Sequence, residues 1–353
     1  MVVLLVVAGI FLLFFSASIF IYEKVFKRRT DIPESVFEPS FNDILNLARR
    51  PVQFKNKRMK ALKGYIYYSN YGPPPDGVIV LVHGFGTTHM DYLHLIEWFI
   101  KSGFAVFSYD NTGCGESEGS SMSGLPNAVH DLECAIECIR QDSELGTLPL
   151  FMFGHSWGAY AVTSALAHIG GVTAVVGCCG FNTSLDMLKC YSTAFSGKIG
   201  LLIIPFAALY ERLKFGRYAG ISGASGVLNS NASVLLIHSK DDTVVPYKHS
   251  VAAHVKPFIK SYSRVTIKLY SNRGHNVFRS DASIAYRAEI VGEQMKLRKR
   301  YGNNIPKKVC DDYIKGIDKR LLSELKVDLM KEMTTFFTSS LAVSYTHLEP
   351  TRP

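Results

Sequence analysis

The chain has 353 residues, with 39 Lys/Arg against 30 Asp/Glu, a formal charge of +9, and a composition 47% hydrophobic and 20% charged. That balance excludes a disordered or collagen-like chain and suits a packed globular protein. Seven cysteines without a Cys-x-x-Cys pair or Cys/His ligand spacing exclude a disulfide framework and a zinc site. The basic excess comes with no nucleic-acid motif, so a membrane surface, and not nucleic acid, is the expected neighbour.

Residues 2–22 form an apolar run softened only by Gly9, Ser16 and Ser18. As a helix at about 1.5 Å per residue this run reaches roughly 31 Å, enough for a bilayer core of about 30 Å. A cleaved signal peptide would carry a basic residue before the run and a small-residue cleavage site after it. Instead, Lys24, Lys27, Arg28 and Arg29 follow it. The expectation is a single-pass membrane anchor with the remainder of the chain on the cytoplasmic side, where thiols stay reduced. Residues 23–50 read as a basic juxtamembrane linker. Residues 23–63 hold 11 Lys/Arg against 5 Asp/Glu, which suits either anionic headgroups or a solvated segment.

Residues 52–68 read as a hairpin that adds antiparallel edge strands. Short apolar runs then recur at 78–82, 104–110, 150–154, 173–179, 233–238 and 265–270, each followed by a turn signal. Helical spacing lies between them: Leu93, Ile96, Trp98 and Phe99 share one side of 92–101, and Val129, Leu132, Ala135, Ile136 and Ile139 share one side of 128–141. The alternation predicts an α/β fold, a mostly parallel sheet with helices on both faces.

Residues 181–231 break this rhythm and are too long for one crossover helix, so a helical cap is expected there. Its apolar stretch, 199–210, is interrupted by Pro205 and flanked by Lys198 and Arg212, too short for a second span. A basic helical insertion at 280–319 precedes a closing helix at 321–337; it either shapes the mouth of a site or lies on a membrane. The globular domain is thus 51–342. Residues 343–353 resemble a translated sequencing-library adapter and are expected to carry no function.

Three constellations carry chemistry. Gly154-His155-Ser156-Trp157-Gly158 follows one strand and precedes a small-residue helix. A tight strand-to-helix turn needs glycines beside the serine, exposes the hydroxyl, and sets it at a helix end that favours negative charge. His83-Gly84-Phe85-Gly86 ends another strand, and its glycines let backbone N–H groups approach a substrate. The Phe85 and Trp157 amides are the expected oxyanion donors, with His83 bracing the loop. The third is an acid and a base, Asp242 and His275, each just past a strand; Asp241 is the alternative acid, and Asp242 is preferred for its spacing to Val245-Pro246. The chain order is Ser, Asp, His, at the carboxyl ends of strands, where an open α/β sheet places its site.

These segments, with Tyr109-Asp110-Asn111-Thr112-Gly113-Cys114-Gly115-Glu116-Ser117-Glu118-Gly119, resemble the α/β-hydrolases over about residues 55–341. The likeness is to the serine-aminopeptidase and monoacylglycerol-lipase-like group. It implies a serine hydrolase with Ser156 as nucleophile, His275 as base and Asp242 as orienting acid, and leaves Asp110 outside the triad. This chemistry requires no metal or organic cofactor. The expected substrate is a small-molecule acyl compound, a lipid-like ester such as a monoacylglycerol or lysophospholipid. A serine aminopeptidase is the alternative, with Asp186 or Glu211 to hold the substrate amine; an acyltransferase would use the same triad, and a non-catalytic binding protein would usually lack one of its members.

Overall fold

The computed structural model describes residues 1–31, 47–71, 73–302 and 304–346. In chain order it forms α1 (Val2–Phe26), β1 (Leu47–Lys55), β2 (Ala61–Ser69), β3 (Val78–Val82), α2 (Leu93–Lys101), β4 (Ala105–Tyr109), α3 (Asn127–Arg140), β5 (Leu150–His155), α4 (Trp157–Ala165) and β6 (Ala174–Cys178). Next come α5 (Ser184–Ser196), α6 (Ile204–Phe215), α7 (Gly223–Asn229), β7 (Ser233–Ser239), α8 (Val251–Val255), β8 (Val265–Tyr270), α9 (Asp281–Tyr301), α10 (Lys307–Lys315), α11 (Lys319–Ser323) and α12 (Val327–Thr346).

The strands make one eight-stranded sheet in the order β1-β2-β4-β3-β5-β6-β7-β8. It is parallel from β4 to β8; the β1–β2 hairpin adds to β4 antiparallel. Apolar residues on both strand faces are what a doubly covered sheet demands. In β3, Val78, Val80 and Val82 enter one core with Leu132 and Ala135 of α3 and Ala161 of α4. Ile79 and Leu81, on the opposite face, enter a second core with Ile96 and Phe99 of α2 and Met333 and Phe337 of α12. The alternation follows from the two-residue period of a strand.

The ends differ from the sequence expectation. The basic segment 23–50 is divided: 23–26 continue α1, 47–50 open β1, and 32–46 lie outside the described residues. Tyr22 and Phe26 are buried to 2% and 1% exposure, so α1 ends inside the protein's core and not in a linker. Arg29 then donates to the carbonyls of Gly115, Ser117 and Gly119, and Thr30 pairs with Cys114.

The expected closing helix is split. The Ser280 amide donates to Glu324 O, and the Lys326 amide to Phe278 O. Leu325 also pairs with Arg279. These bonds hold the chain extended between α11 and α12. Helix α12 runs on through Thr346, so only 347–353 of the suspected foreign tail lie outside the described residues. The segment expected as a cap folds as α5, a 3-10 turn over Gly197–Ile203, α6 and α7, between β6 and β7. It leaves the carboxyl end of β6 and returns to the amino end of the parallel β7.

Candidate active site

Strand β5 ends at His155 and α4 begins at Trp157, so Ser156 is the whole of the turn between them. Its backbone sits at φ 57°, ψ −115°, a sparsely populated conformation for a residue with a side chain. The neighbours hold it there. Its amide donates to Cys178 O of β6 at 2.8 Å, and its carbonyl accepts from the Tyr160 amide at 3.0 Å. Glycine is required on both sides: a Cβ on Gly154 would stand 2.3 Å from Gly158 O, and one on Gly158 would stand 2.0 Å from Val82 O. The Trp157 indole donates to Leu125 O at 2.7 Å and fixes the first residue of α4.

The loop after β3 lies against this turn. A Cβ on Gly84 would be 3.6 Å from Ser156 Cβ. His83 sits beneath it, its Nδ1–H donating to Gly84 O at 2.8 Å while Nε2 accepts from the Asn111 amide at 3.0 Å. Burial pushes the His83 pKa down, so the ring is a neutral brace with both nitrogens engaged. Gly86 has φ 73°, a left-handed turn that suits glycine. Among the described residues, the Phe85 and Trp157 main-chain amides have no hydrogen-bond acceptor. The Phe85 ring packs on Trp157 at 5.5 Å and on Phe26 of α1 at 6.0 Å.

The two adjacent acids after β7 divide the work. Asp242 Oδ1 accepts from the Val244 and Val245 amides, each at 2.9 Å, which leaves Oδ2 for His275 Nδ1 at 2.8 Å. Burial alone would raise the Asp242 carboxyl; its hydrogen bond and charge interaction with His275 outweigh that and hold it below the usual range. Asp241 turns instead to the loop that carries His275. Its Oδ1 accepts from the Ser239 hydroxyl, the Arg273 amide at 3.2 Å and the Gly274 amide at 3.1 Å. With Nδ1 engaged by Asp242, His275 has Nε2 left for a nucleophile. No hydrogen bond joins Ser156 Oγ to His275 among the described residues. The link recorded between the two turns is through His155.

His155 and Tyr92 are the residues that the sequence reading missed. Gly84 N–H donates to Tyr92 Oη at 3.0 Å, and Tyr92 O–H donates to His155 Nδ1 at 2.9 Å. His155 Nε2–H then donates to His275 O at 3.1 Å. One relay therefore ties the Gly84 loop, the serine turn and the His275 loop together. Burial, reinforced by the neighbouring His275, lowers His155 to about 3, so it is a neutral spacer. Its place in the variable position of the Gly-x-Ser-x-Gly motif was the available signal.

Cys179 Sγ and donor atoms of Asp242 and His275 lie within 4.8 Å of one another, a geometry close enough for a metal ion. The chemistry does not suit one. Burial, with Asp242 adding to it, pushes the Cys179 thiol well up, and the His275–Asp242 pair is already satisfied internally. The cap carboxylates are likewise engaged: Asp186 with Thr183 at the start of α5, and Glu211, 3% exposed, with Tyr22 Oη at 2.7 Å and Ser184 Oγ at 2.6 Å.

Asp110, at the end of β4, supports the rim. Its Oδ1 accepts from the His89 amide and lies 2.9 Å from His89 Nδ1, while Oδ2 accepts from the Glu116 amide. Burial would raise this carboxyl, but the interactions with His89 win and lower it from 3.8 to about 2. A folded-state value below the unfolded one stabilises the protein above about pH 4, and that contribution is lost as pH falls towards 2. Asp110→Asn is expected to remove about 2–4 kcal/mol of stability at pH 7. In urea unfolding across a pH series, the gap to the parent should narrow below about pH 4; a gap constant with pH would contradict this account.

A family model described as "Serine aminopeptidase, S33" matches residues 73–199. The uncharacterised protein YfhR of Escherichia coli K12 is 28% identical over 239 residues, covering 65% of this chain and 77% of that protein. The lysophosphatidylserine lipase ABHD12 of Danio rerio is 27% identical over 184 residues, 48% of this chain and 44% of that one. Among solved structures, the Pyrococcus furiosus esterase Pf2001 superimposes with a TM-score of 0.54 at 15% identity, covering 76% of this chain and 98% of the esterase.

Proposed function

We propose that this chain is a serine hydrolase of the α/β-hydrolase superfamily, that Ser156, His275 and Asp242 form its catalytic triad, and that it cleaves a lipid-like carboxylic ester; the family match over residues 73–199 and the shared fold support the reading. The observation that carries the reading is the 2.8 Å bond from His275 Nδ1 to a buried, doubly amide-bound Asp242, beside a serine held at φ 57°.

His275 Nε2 takes the Ser156 proton as Oγ attacks the acyl carbonyl. The step requires an Oγ–Nε2 hydrogen bond, and catalytic hydrogen bonds of this kind often close only with substrate present. Asp242 fixes the proton on Nδ1 and stabilises the imidazolium. The free Phe85 and Trp157 amides receive the oxyanion. His275 returns its proton to the leaving alcohol, and water, deprotonated by the same ring, releases the acid.

The lipid-like substrate is supported by the apolar α1 and cap, and by the lipase name of one relative. Asp186 and Glu211 are tied into the cap, which argues against their holding a peptide's amine. We read α1 as a retained anchor. A leader peptide destined for removal gains nothing from burying Tyr22 and Phe26 and bonding Tyr22 to Glu211. The basic residues 24–29 then favour a cytoplasmic catalytic domain.

A fluorophosphonate probe, applied to the purified full-length protein, tests the nucleophile. Peptide mapping is expected to find the adduct on Ser156, with parallel loss of hydrolysis of a soluble nitrophenyl ester. An adduct elsewhere, or full activity after stoichiometric labelling of another residue, would overturn the assignment.

A further inference from the structure

The cap does not sit apart from α1. Helix α6 runs beside it in the same direction. Phe206, near the start of α6, packs on Phe11 and Phe14 at 5.4 and 5.7 Å. Tyr210 meets Tyr22 at 5.3 Å and donates its hydroxyl proton to Glu23 at 2.6 Å. Lys214 pairs with the same Glu23. Both helices therefore change from apolar to charged at one level, with Glu23 and Lys24 on α1 and Glu211, Arg212 and Lys214 on α6.

Below that level the two share one chemistry. From Ile199 to Tyr210 there is no charged residue, as in residues 2–22. Large apolar side chains here face outward: Ile199 is 77% exposed and Leu202 60%. In water this patch, continuous with the bare apolar surface of α1, would be strongly unfavourable. The backbone of a helix or a helical turn satisfies itself and tolerates hydrocarbon.

We propose that the 3-10 turn over Gly197–Ile203 and the first two turns of α6 are immersed in the same membrane leaflet as the Glu23 end of α1, without crossing it. The inference rests on the anchor reading of α1. If Glu23 and Lys24 lie at the interface, the eight-residue step from Lys214 back to Phe206 takes α6 about 12 Å inward. A leaflet's hydrocarbon is about 15 Å deep, half the core. The segment thus reaches into one leaflet and stops. Lys198, the single charge from residue 190 to 210, is exposed and has a four-carbon stem with which to carry its ammonium towards the headgroups. An acyl ester dissolved in that leaflet would meet the cap and, through Phe26 of α1, the Phe85 ring that packs on Trp157 beside Ser156, without first entering water.

Depth-dependent fluorescence quenching tests this. The full-length protein is reconstituted in phosphatidylcholine vesicles with bromine placed along the acyl chains, and its intact mass is checked so that α1 is known to be present. Leu202→Trp adds one reporter at the turn, Leu213→Trp one at the charged level and Phe258→Trp one on the exposed turn that leads into the amino end of β8; emission from Trp98 and Trp157 in the parent is subtracted. The added Leu202→Trp emission is expected to fall by about half or more, most strongly with bromines deep in the chains, as for a side chain within the acyl region. Leu213→Trp should respond most to shallow bromines, and Phe258→Trp should not respond. Ile199→Trp substitutes if Leu202→Trp is not recovered folded. A Leu202→Trp signal quenched by aqueous iodide, or shielded from iodide and bromine alike as in a protein–protein contact, would overturn the inference. Because the readout needs no catalysis, normal fluorophosphonate labelling beside a failed quenching result would sink the immersed cap alone. Recovery of a chain lacking α1 would sink the anchor with it.

Discussion

Asp242→Asn is expected to lower kcat/KM for a soluble ester by about 10⁴-fold near neutral pH while the protein stays folded. The geometry makes this substitution unusually clean. Asparagine can keep Oδ1 on the Val244 and Val245 amides, both at 2.9 Å. Its NH₂ then faces His275 Nδ1, where Oδ2 had accepted at 2.8 Å. An amide donor there forces the ring proton onto Nε2, and the nitrogen proposed to take the Ser156 proton is already protonated. The neighbouring acid supplies the control. Asp241 holds the His275 loop through the Arg273 and Gly274 amides, and an asparagine there keeps an oxygen for both. Asp241→Asn should therefore cost less than about tenfold, well below the roughly 10²-fold that a 1 Å misplacement of a catalytic group can cost, because the loop keeps both bonds. Steady-state kinetics of the two variants, with circular dichroism to verify folding, decide the matter. A tenfold or smaller loss in Asp242→Asn, or the larger loss in Asp241→Asn, would reverse the two roles.

The strands were legible because each central one is apolar on both faces, a pattern that only a covered parallel sheet requires. Residues 78–82 correspond to β3 without adjustment, since Gly77 before them and His83-Gly84 after them punctuate the run. The choice between Asp241 and Asp242 rested in the sequence on spacing to Val245-Pro246. The structure supplies a physical content for that spacing: a carboxylate at 242 reaches the amides of Val244 and Val245 within its own turn. His155 and Tyr92 were not legible in this way, because their relay joins residues 63 and 120 positions apart. The end of α1 was misread for a related reason. Glu23 and Lys24 resemble the start of a solvated linker, but Glu23 has its partners, Tyr210 and Lys214, in a cap nearly two hundred residues later. Local charge cannot reveal that a distant helix has been folded against it. The break between α11 and α12 likewise depends on backbone bonds to Phe278 and Ser280, which helical spacing does not encode.

The serine turn should be as intolerant sterically as it is chemically, and Gly158→Ala is the strongest test. The new methyl would lie 2.0 Å from Val82 O, 2.7 Å from Val82 C and 2.9 Å from His83 O. All three are backbone atoms of a central strand or the loop directly after it, paired on both sides by β4 and β5, so no flexible side chain can yield. Relief would require α4 to retreat from β3 by more than an ångström. That retreat would pull Trp157 from Leu125 O and carry the Trp157 amide away from the Ser156 turn. Overpacking that cannot relax by rotamer change destabilises by about 3 kcal/mol or more, at the upper end of single-site effects. Gly158→Ala is expected to express poorly or unfold at markedly lower urea, and any folded fraction to react slowly with a fluorophosphonate. Gly170→Ala is the matched control, with nothing within 4 Å of its Cβ, and should stay within about 0.5 kcal/mol of the parent. Because the control adds the same methyl to the unfolded chain, a general effect of replacing glycine cannot account for a difference between the two. Parent-like stability and labelling in Gly158→Ala would mean that α4 does not approach β3 so closely, and the serine turn would lose the packing that holds its backbone at positive φ.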